Sequence, residues 1–473
     1  MEWKMKRILV FLLSFRIVSL WAAGQPALTV HFDQENGVIK KALHGSNYMP
    51  SIIGADRDKD FRAMRFTYCR THDQPLCNPG QRIVDTHFIF PREDVDAADP
   101  KNYYFAATDH LLNTLVRNGG AAYYRLGTSI ENTAGTAHFN TLPVRDAEQY
   151  AKILAGIIRH YNYAWNNGFK MAIPYWEIWG EPNNIPSLWA GTKEEFIPFF
   201  ATVLQHLKTE FPDEKIGGPG LTWPDPEWIN PLLTECKKRG VTPDFISFHT
   251  YVDKPEVMAQ LVKECRAILD AAGCQKTEVH LNEWHYLRGK WAELTAETDE
   301  SGYNDLTRGV SGVWGIDSAA FNVAMLALFH DVPLDVACYY GFGISGNAGI
   351  WGFYRHGRMK NKNFYSMKMI GEFIDSYEKR VRCESAVPGI YALAAFNADR
   401  SRGAVLLSDY RSKLGSVKLQ LTGVPTIRNL EIVRLDQNND EKKETAEFAA
   451  GTLTLGKDNV DSAVWLIRFD VVR

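Results

Sequence analysis

The chain has 473 residues, of which 45% are hydrophobic and 23% charged, a composition typical of a globular protein with one large domain and room for a smaller one. The formal net charge of −3 and the lack of a long lysine and arginine run exclude a basic surface of the kind that binds nucleic acid. No CxxC pair or cysteine and histidine cluster has zinc spacing, so no structural metal is predicted.

The chain begins with a segment typical of a secretory signal peptide. Lys4, Lys6 and Arg7 precede an apolar run, and small residues follow it at positions 22–24. The run is short for a spanning helix, and no later segment is apolar for long enough to cross a bilayer. We therefore predict that residues 1–24 are a signal peptide and that the protein is exported, to the periplasm or outside the cell. An uncleaved anchor is the alternative.

Two pairs of cysteines are close enough in sequence to form small-loop disulfides in an oxidising compartment. They are Cys69 with Cys77 and Cys265 with Cys274. The alternative is that these cysteines are reduced and buried, because several lie in apolar segments.

From residue 42 to residue 378, apolar segments alternate with amphipathic ones. The predicted strands are ALHGSN, AMRFTYCR, AAYYRLG, AIPYWEIW, EKIGGPG, DFISFHTY, TEVHLNEW and DVACYYGF. Between them lie segments such as DAEQYAKILAGIIRHYNYAW and DSAAFNVAMLALFHDV, whose apolar residues recur at the helical intervals of three and four. Strands and helices alternating in this way predict an α/β fold, a (β/α)8 TIM barrel.

The pattern changes in residues 379–473, which contain short alternating segments separated by turn residues. These segments are AVLLSD, SVKLQLTG, NLEIVRLD, GTLTLG and AVWLIRFDVV. They predict a C-terminal antiparallel β-sandwich domain. Residues 25–41 contain a further strand, ALTVHF, which we expect to join it.

Two glutamates lie where a (β/α)8 barrel carries its active site, at the carboxyl ends of strands. In PYWEIWGEPNN, Pro182 cannot continue a central strand, so the strand is predicted to end near Glu181, with Glu177 deeper on the same face. In TEVHLNEWHY, alternation places Glu283 on the same face as Leu281. Glu181 and Glu283 are separated by about three of the ~31-residue units of a ~250-residue barrel, which places them on the fourth and seventh strands.

Two carboxyl groups facing each other across a barrel mouth are what glycoside hydrolysis requires. One protonates the departing oxygen, and the other attacks or stabilises the anomeric carbon. Glu181 follows an aromatic run, and apolar surroundings raise a carboxyl pKa, so it can hold a proton near neutral pH. Glu283 has to stay ionised, and His249 and Tyr251 share a face at the end of the preceding strand, where they can donate to it.

Several segments also carry a resemblance to a known family. WEIWGEPN resembles the acid/base motif of clan A glycoside hydrolases, and LNEWHY resembles their nucleophile motif. CRTHDQ, YRLGTSIE, IGGPG and DFISFHTY are similar, in the same order, to segments of glycoside hydrolase family 39, the β-xylosidase and α-L-iduronidase family. The resemblance implies a retaining enzyme with Glu181 as general acid/base and Glu283 as nucleophile. The mechanism implied is double displacement through a covalent glycosyl-enzyme, with the carboxyl groups about 5–5.5 Å apart.

The resemblance further implies that a tyrosine at position 251 donates to the nucleophile. It also implies that Arg70 and His72 orient the nucleophile and bind a sugar hydroxyl, with Arg65 as the alternative arginine. The predicted substrate-binding residues are Arg70, His72, Asn183, His249, Tyr251, Asn282, Trp284 and Tyr340.

For some of these positions a structural role is the alternative. Asn282 can bond to the backbone instead, and Trp284 and Trp351 can be packing residues. Glu177 is predicted to be a buried charge with a partner such as Arg125.

The sequence departs from the clan A pattern at two positions. Tyr340 stands where the eighth strand usually carries a tryptophan, and Gly180 stands where the clan carries an asparagine that bonds the sugar 2-hydroxyl. Either Asn183 or Asn184 replaces this contact, or the substrate differs at C2, or the protein binds sugar without cleaving it efficiently.

The sequence thus predicts an exported retaining exo-glycosidase that acts on plant or host glycan fragments. Its partner would be an oligosaccharide or glycoside, with no nucleic acid and no stable membrane span, and the mechanism requires neither a metal nor an organic cofactor. A carbohydrate-binding pseudoenzyme on the same barrel and an endo-acting glycanase are the alternatives.

Overall fold

The computed structural model describes residues 25–50, 57–72, 82–130, 140–290, 293–294, 304–342, 350–355, 359–458 and 460–472. These residues form a closed barrel of parallel strands and a separate nine-stranded sheet. The predicted signal peptide, residues 1–24, lies outside the described residues.

The first strand, β1 (Leu28–Val38), belongs to the nine-stranded sheet, and the next eight form the barrel. These are β2 (Gly45–Asn47), β3 (Tyr68–Arg70), β4 (Ala121–Leu126), β5 (Tyr175–Ile178), β6 (Lys215–Leu221), β7 (Phe245–Val252), β8 (Glu278–Tyr286) and β9 (Val336–Tyr339). They pair in chain order, and β9 closes the barrel by pairing with β2. The predicted (β/α)8 barrel is confirmed, with β5 as its fourth strand and β8 as its seventh.

Helices connect the strands and cover the outside of the barrel. They are α1 (Asp58–Met64), α2 (Thr86–Ile89), α3 (Ala106–Arg117), α4 (Ala147–Tyr163), α5 (Lys193–Glu210), α6 (Pro226–Lys238), α7 (Pro255–Ala271), α8 (Asp305–Arg308), α9 (Ile316–Phe329) and α10 (Lys362–Ser376). A capping box between Thr192 and Glu195 starts α5, which follows the strand and loop that carry Glu181. Within the described part of the chain, no helix is both long and apolar enough to span a membrane.

One predicted strand is wrong in its first half. AMRFTYCR was expected to be continuous, but α1 ends at Met64, and Arg65 has a left-handed φ of 54°. Only Tyr68–Arg70 forms strand β3. The Arg65 side chain is 40% exposed and pairs with Asp375 at 3.3 Å, so it is not the arginine of the barrel interior.

The barrel interior is filled at its amino-terminal end. Inward-facing apolar side chains of Tyr123, Tyr175, Phe245, Val336 and Cys338 form a small cluster there. The outward-facing residues pack with the helices in a much larger core. Because the lower interior is closed by these side chains, the polar groups of the barrel gather at the carboxyl ends of the strands.

The second sheet contains β1 and all strands that follow the barrel. These are β10 (Lys379–Ser385), β11 (Ile390–Phe396), β12 (Arg402–Asp409), β13 (Ser416–Thr422), β14 (Ile427–Asp436), β15 (Lys442–Glu444), β16 (Thr452–Gly456) and β17 (Ala463–Val471). Strand β1 lies inside the sheet, antiparallel to β10 and parallel to β13. The strands form one continuous sheet, not two, which curls around a single core so that Arg434 Nη1 of β14 donates to Gly456 O of β16 at 2.9 Å.

Helix α9 joins the two units. Nearly all of its residues are buried, because it packs against the barrel on one side and the sheet on the other. Asp317, in its first turn, accepts from Arg411 Nε at 2.6 Å and from Ser462 Oγ at 2.6 Å. Arg411 Nη2 also donates to Tyr286 Oη of β8 at 2.6 Å, so the sheet braces the strand that carries Glu283.

Cys265 and Cys274 do not form the disulfide that their spacing allowed, and the alternative of reduced cysteines holds. Both are free cysteines, and Cys265 is buried on the inner side of α7. Cys69 is also free and buried, and its predicted partner Cys77 lies outside the described residues.

Candidate active site

The alternation of β5 breaks before it reaches Glu181. The strand ends at Ile178, and Trp179 and Glu181 have left-handed φ angles of 72° and 46°. The prediction that the strand continues to Glu181, on one face with Glu177, is therefore wrong. Glu177 points into the barrel interior, whereas the turn presents Glu181 at the barrel mouth.

Packing holds this strained turn in place. Left-handed backbone is costly for large side chains and persists only where the surroundings enforce it. The Trp179 ring turns outward and packs against Trp189 and Phe199, with ring centroids 5.2 Å and 5.6 Å away. Its indole Nε1 donates to Leu188 O at 2.7 Å. The aromatic residues before Glu181 therefore anchor the turn and do not surround the carboxyl group.

A β-bulge in β8 places Glu283. Leu281 pairs with Phe248 of β7, but the next pair is Glu283 with His249, so Asn282 is an extra residue. Leu281 faces the helices, and the bulge turns Glu283 to the inside of the barrel. The predicted shared face of Leu281 and Glu283 is thus wrong, because strict alternation does not survive the bulge.

Glu283 is held by groups from two neighbouring regions of the barrel. Tyr251 Oη donates to its Oε1 at 2.6 Å, and Arg70 Nη1 donates to its Oε2 at 3.2 Å. His72 Nε2 lies 3.6 Å from the same Oε2. The side chain is only 7% exposed, so its negative charge depends on these partners.

Glu181 faces Glu283 across His249. His249 Nδ1 lies 2.6 Å from Glu181 Oε1 and 3.7 Å from Glu283 Oε2. Asn184 Nδ2 donates to Glu181 Oε2 at 3.0 Å. One ligand atom from each of the two glutamates and His249 lies within 4.8 Å of the others. This group has the donor set to hold a divalent cation, and the direct contact between His249 and Glu181 also suits it to proton transfer.

Below this pair, Glu177 is fully buried, and both of its carboxylate oxygens accept hydrogen bonds. Its Oε2 accepts from Arg70 Nε at 2.7 Å, and its Oε1 accepts from Ser247 Oγ at 2.7 Å and Asn282 Nδ2 at 2.5 Å. Arg70 therefore bridges Glu177 and Glu283 and fixes the orientation of Glu283 from below.

Arg125 is not the partner of Glu177, contrary to the prediction. Its Nη2 donates to Asp85 Oδ1 at 2.7 Å and to Ser129 Oγ at 3.0 Å. Asp85 in turn accepts from the backbone N–H of Ser129 at 2.8 Å. The two buried arginines of the mouth thus have separate carboxylate partners, although β4 and β5 pair Arg125 with Glu177 along the backbone.

Residues 60–279 match the family model described as Glycosyl hydrolases family 39. Over 483 aligned residues the chain is 22% identical to a beta-xylosidase of Caldicellulosiruptor saccharolyticus, which covers 92% of this chain and 90% of that protein. The chain is a glycoside hydrolase similar to family 39. The resemblance that the motifs carry is thereby confirmed, and this hydrolase is a glycosidase.

Solved structures share the fold of the hydrolase along nearly its whole length. A glucosidase from Croceicoccus marinus has a TM-score of 0.75 at 22% identity, covering 95% of this chain and 99% of that one. The family 39 enzyme of Xanthomonas axonopodis pv. citri has a TM-score of 0.67 at 15% identity, covering 94% and 98%. At these sequence identities, the similarity to the solved structures shows a shared fold and no more.

Tyr340 lines the site of the hydrolase, at the end of β9. Its hydroxyl lies 3.1 Å from that of Tyr48, and its ring centroid is 5.9 Å from His72 and 6.2 Å from Tyr251. The structure therefore brings together most of the predicted site residues, namely Arg70, His72, Glu181, His249, Tyr251, Glu283 and Tyr340.

The other three predicted substrate-binding residues bond or pack within the protein. The amide of Asn183 is committed to the loop after β6, because it donates to Thr222 Oγ1 at 2.8 Å and accepts from Thr222 N at 3.1 Å. Trp284 faces outward after the bulge and packs against Phe329 with a centroid distance of 5.3 Å. Asn282 is buried beneath the mouth and bonds Glu177. Asn282 and Trp284 thus take the structural roles that were their alternatives, and Asn183 joins two loops beside Glu181.

Two supporting residues were not predicted. Asn47, at the end of β2, accepts from Arg70 Nη1 at 3.1 Å and donates to Asn282 O at 2.9 Å. Ser247 bonds Glu177. Ser247 precedes His249 by two positions on β7, so the alternation that selected His249 and Tyr251 could also have found it.

Gly180 lies against the two buried arginines. A Cβ at this position would be 3.2 Å from Arg125 Cδ and 3.4 Å from Arg70 Nη2. A larger side chain therefore requires the Arg125 side chain to shift by a few tenths of an ångström and crowds Arg70. Of the two residues considered as replacements for the asparagine of the clan, Asn183 bonds Thr222 and Asn184 bonds Glu181.

Gly180→Asn is expected to be harmful, although it restores the residue of the clan. Because the new side chain crowds Arg125 and Arg70, the free energy of unfolding should fall by about 1–3 kcal/mol. Moving Arg70 also moves Glu283, and a misplacement of this kind should lower kcat/KM by up to about 100-fold. Thermal unfolding and steady-state kinetics measure the two effects. Gly456→Asn is the matched control, since a Cβ there meets nothing within 4 Å. A Gly180→Asn variant as active and stable as this control would contradict the prediction.

The pKa values of the two glutamates shift in opposite directions. Burial raises the pKa of Glu283, and this outweighs the lowering by His249, Arg70 and the Tyr251 hydrogen bond. Burial also acts to raise the pKa of Glu181, but the hydrogen bond and charge of His249, with the Asn184 hydrogen bond, bring it below its usual value. The expectation that aromatic surroundings raise the pKa of Glu181 is therefore wrong, because Trp179 turns away and His249 faces the carboxyl group.

Tyr251→Phe is expected to move the acid limb of the pH profile of kcat/KM to higher pH. The Tyr251 hydroxyl stabilises the ionised form of Glu283 and lowers its pKa, so its removal raises that pKa further. The ionised fraction of Glu283 then falls at a higher pH than in the wild type. Losing this donor should also lower the rate by about 100-fold. In the control Tyr124→Phe, which removes a hydroxyl bonded to Val84 O outside the site, the limb should not move. An unshifted limb in Tyr251→Phe would show that this bond does not control Glu283.

Proposed function

We propose that the hydrolase is a retaining exo-glycosidase that works by double displacement. The separation of its carboxylates carries the proposal: oxygens of Glu181 and Glu283 lie within 4.8 Å of each other. Retaining enzymes place the two carboxyl groups about 5–5.5 Å apart, whereas inverting enzymes leave about 6.5–9.5 Å for a water molecule. The distance supports direct attack by one of the two groups.

In the first step Glu283 attacks the anomeric carbon. A bond forms between its carboxylate oxygen and that carbon while the glycosidic C–O bond breaks, and the departing oxygen takes a proton from Glu181. Tyr251 and Arg70 hold Glu283 in one orientation from two sides. The 2.6 Å contact between His249 Nδ1 and Glu181 Oε1 places the proton of this pair next to the leaving group.

In the second step water attacks the anomeric carbon and Glu181 accepts its proton. When Glu283 becomes an ester it loses its negative charge, and the repulsion between the two carboxylates disappears. Glu181 then ionises more readily and becomes the base. The contact with His249, which already lowers the pKa of Glu181, favours this role.

We propose β-xylosides as the first substrate class, because a relative aligned over nine-tenths of the chain is named a beta-xylosidase. The low exposure of the two carboxylates, 16% for the Glu181 side chain and 7% for that of Glu283, supports a narrow pocket and exo action. An open cleft, as in an endo-acting glycanase, would leave them more accessible.

We also propose that the enzyme is exported and acts on plant or host glycan fragments. The positively charged start, apolar run and small residues within positions 1–24 support export. Mass spectrometry of the mature protein from cell fractions tests this proposal. An intact amino terminus on a cytoplasmic protein would contradict it.

The catalytic proposal is tested by incubating the purified protein with a panel of nitrophenyl glycosides and oligosaccharides. NMR detection of the first-formed anomer should show retention, with β-xylosides among the substrates cleaved. An inverted first product would overturn the double-displacement mechanism. Binding of sugars without any cleavage would favour the pseudoenzyme instead.

A further inference from the structure

Three loops at the barrel mouth are joined by hydrogen bonds around Glu181. The loop after β5 is bonded to the loop after β6 through the paired contacts of Asn183 and Thr222, at 2.8 Å and 3.1 Å. It is bonded to the loop after β4 as well, because Ala190 N donates to Thr141 O at 2.7 Å and Thr141 Oγ1 donates to Pro186 O at 3.2 Å. The described parts of the three loops are therefore joined into a rim on the Glu181 side of the site.

Each of these loops exposes a large apolar side chain. Leu142 is 49% exposed, Ile185 is 51% exposed and Trp223 is 44% exposed. Each residue lies within two positions of one of the bonds that join the loops. Single exposed apolar residues are common on protein surfaces, but three on loops that are bonded to one another beside an active site point to a ligand-binding surface.

The two sides of the site differ in chemistry. Around Glu283 the neighbouring groups are polar, namely Arg70, His72 and Tyr251. On the Glu181 side, by contrast, the rim exposes the large apolar side chains of Leu142, Ile185 and Trp223. A proton donor delivers its proton to the oxygen of the bond that breaks, so the leaving group has to extend over the loops that carry the donor.

We propose that Trp223, together with Ile185 and Leu142, forms the binding surface for a leaving group that is itself a sugar ring. The indole presents a flat, electron-rich face, and a pyranose ring has a face of C–H groups that packs on such a surface. This inference rests on the proposed function, because it takes Glu181 as the proton donor. It deepens that function by defining the substrate class as oligosaccharides instead of simple alkyl or aryl glycosides.

Two substrates with the same glycone test the proposal. Xylobiose has a sugar leaving group, whereas β-xylosyl fluoride has a leaving group too small to contact Trp223 and one that departs without strong protonation. In Trp223→Ala, kcat/KM for xylobiose should fall about tenfold, while kcat/KM for the fluoride should stay at the wild-type value. Trp223→Phe keeps an aromatic face and should lose less than the alanine variant.

Tyr163→Ala is the matched control. Tyr163 is an aromatic residue that is 50% exposed at the carboxyl end of α4, which lies at the opposite end of the barrel from the mouth. It should leave both substrates unaffected. An equal loss on xylobiose and the fluoride in Trp223→Ala, or no loss on either, would overturn the proposal.

Measurements on the wild-type protein distinguish failure of the leaving-group surface from failure of the proposed function. Hydrolysis of β-xylosyl fluoride with retention supports the roles of Glu181 and Glu283, whatever the Trp223 variants do. If the wild type cleaves neither compound but cleaves another glycone, the disaccharide and fluoride of that glycone replace the xylose pair. If it cleaves no glycoside, the proposed function fails, and the leaving-group surface fails with it.

Discussion

Glu283→Ala is expected to lower kcat/KM by about 10⁴–10⁶-fold, the largest effect of any single substitution in this enzyme. The change removes the oxygen that bonds the anomeric carbon and leaves Tyr251 and Arg70 without their shared acceptor. Water is a weaker nucleophile than the carboxylate and cannot form the covalent intermediate that Glu283 forms. Hydrolysis of a nitrophenyl β-xyloside, with thermal unfolding to verify the fold, gives the measurement.

Azide provides a second readout for the same variant. A small anion that enters the space of the missing carboxylate can attack the anomeric carbon from the same side as Glu283. The product should be a glycosyl azide with the anomeric configuration inverted relative to the substrate. Glu278→Ala is the control on the same strand, since Glu278 lies at the opposite end of β8 and contacts His280 at 2.9 Å. A Glu283→Ala variant that retained more than about one hundredth of the activity would contradict the nucleophile assignment.

Glu181→Ala is expected to have an effect that depends on the leaving group. For xylobiose, which needs a proton on the departing oxygen, kcat/KM should fall by about 10²–10⁴-fold. For β-xylosyl fluoride, kcat/KM should change far less, because the first step then needs little acid assistance. The second step still lacks its base, so the glycosyl-enzyme should accumulate and be visible as a mass increase on Glu283.

Azide again separates the roles of the two glutamates. In Glu181→Ala it should attack the glycosyl-enzyme and release a glycosyl azide with the configuration of the substrate retained, the opposite of the result for Glu283→Ala. Glu194→Ala, which removes an exposed carboxylate in the first turn of α5, is the control and should behave as the wild type. Equal losses of Glu181→Ala on both substrates would contradict the acid/base assignment.

Local patterns in the sequence were sufficient to predict the barrel. Alternation and helical periodicity are properties of consecutive residues, and so the order of strands and helices followed from them. Pro182 indicated closely enough where strand β5 ends, and this placed Glu181 at the barrel mouth. The motifs around Glu181 and Glu283 were sufficient to identify the family, since short catalytic segments keep their chemistry when the rest of the chain diverges.

The directions of the side chains were decided only by tertiary structure. The left-handed turn at Trp179 is held by aromatic residues of the helical layer, and the bulge at Asn282 is defined by its pairing with β7. Neither feature is visible in the alternation of the strand itself. For this reason Trp284 faces the helices, although its neighbour Glu283 faces the site.

The choice of partners for buried charges was likewise a tertiary outcome. Arg70 bridges Glu177 and Glu283, while Arg125 pairs with Asp85, and both arginines crowd Gly180. The pKa of Glu181 depends on His249, which is 68 positions away in the chain. The sequence by itself determined the fold and the two carboxylates, because these follow from local periodicity and strand ends. Hydrogen-bond partners and pKa values required the folded structure, because they depend on distances between residues that the chain brings together only on closing the barrel.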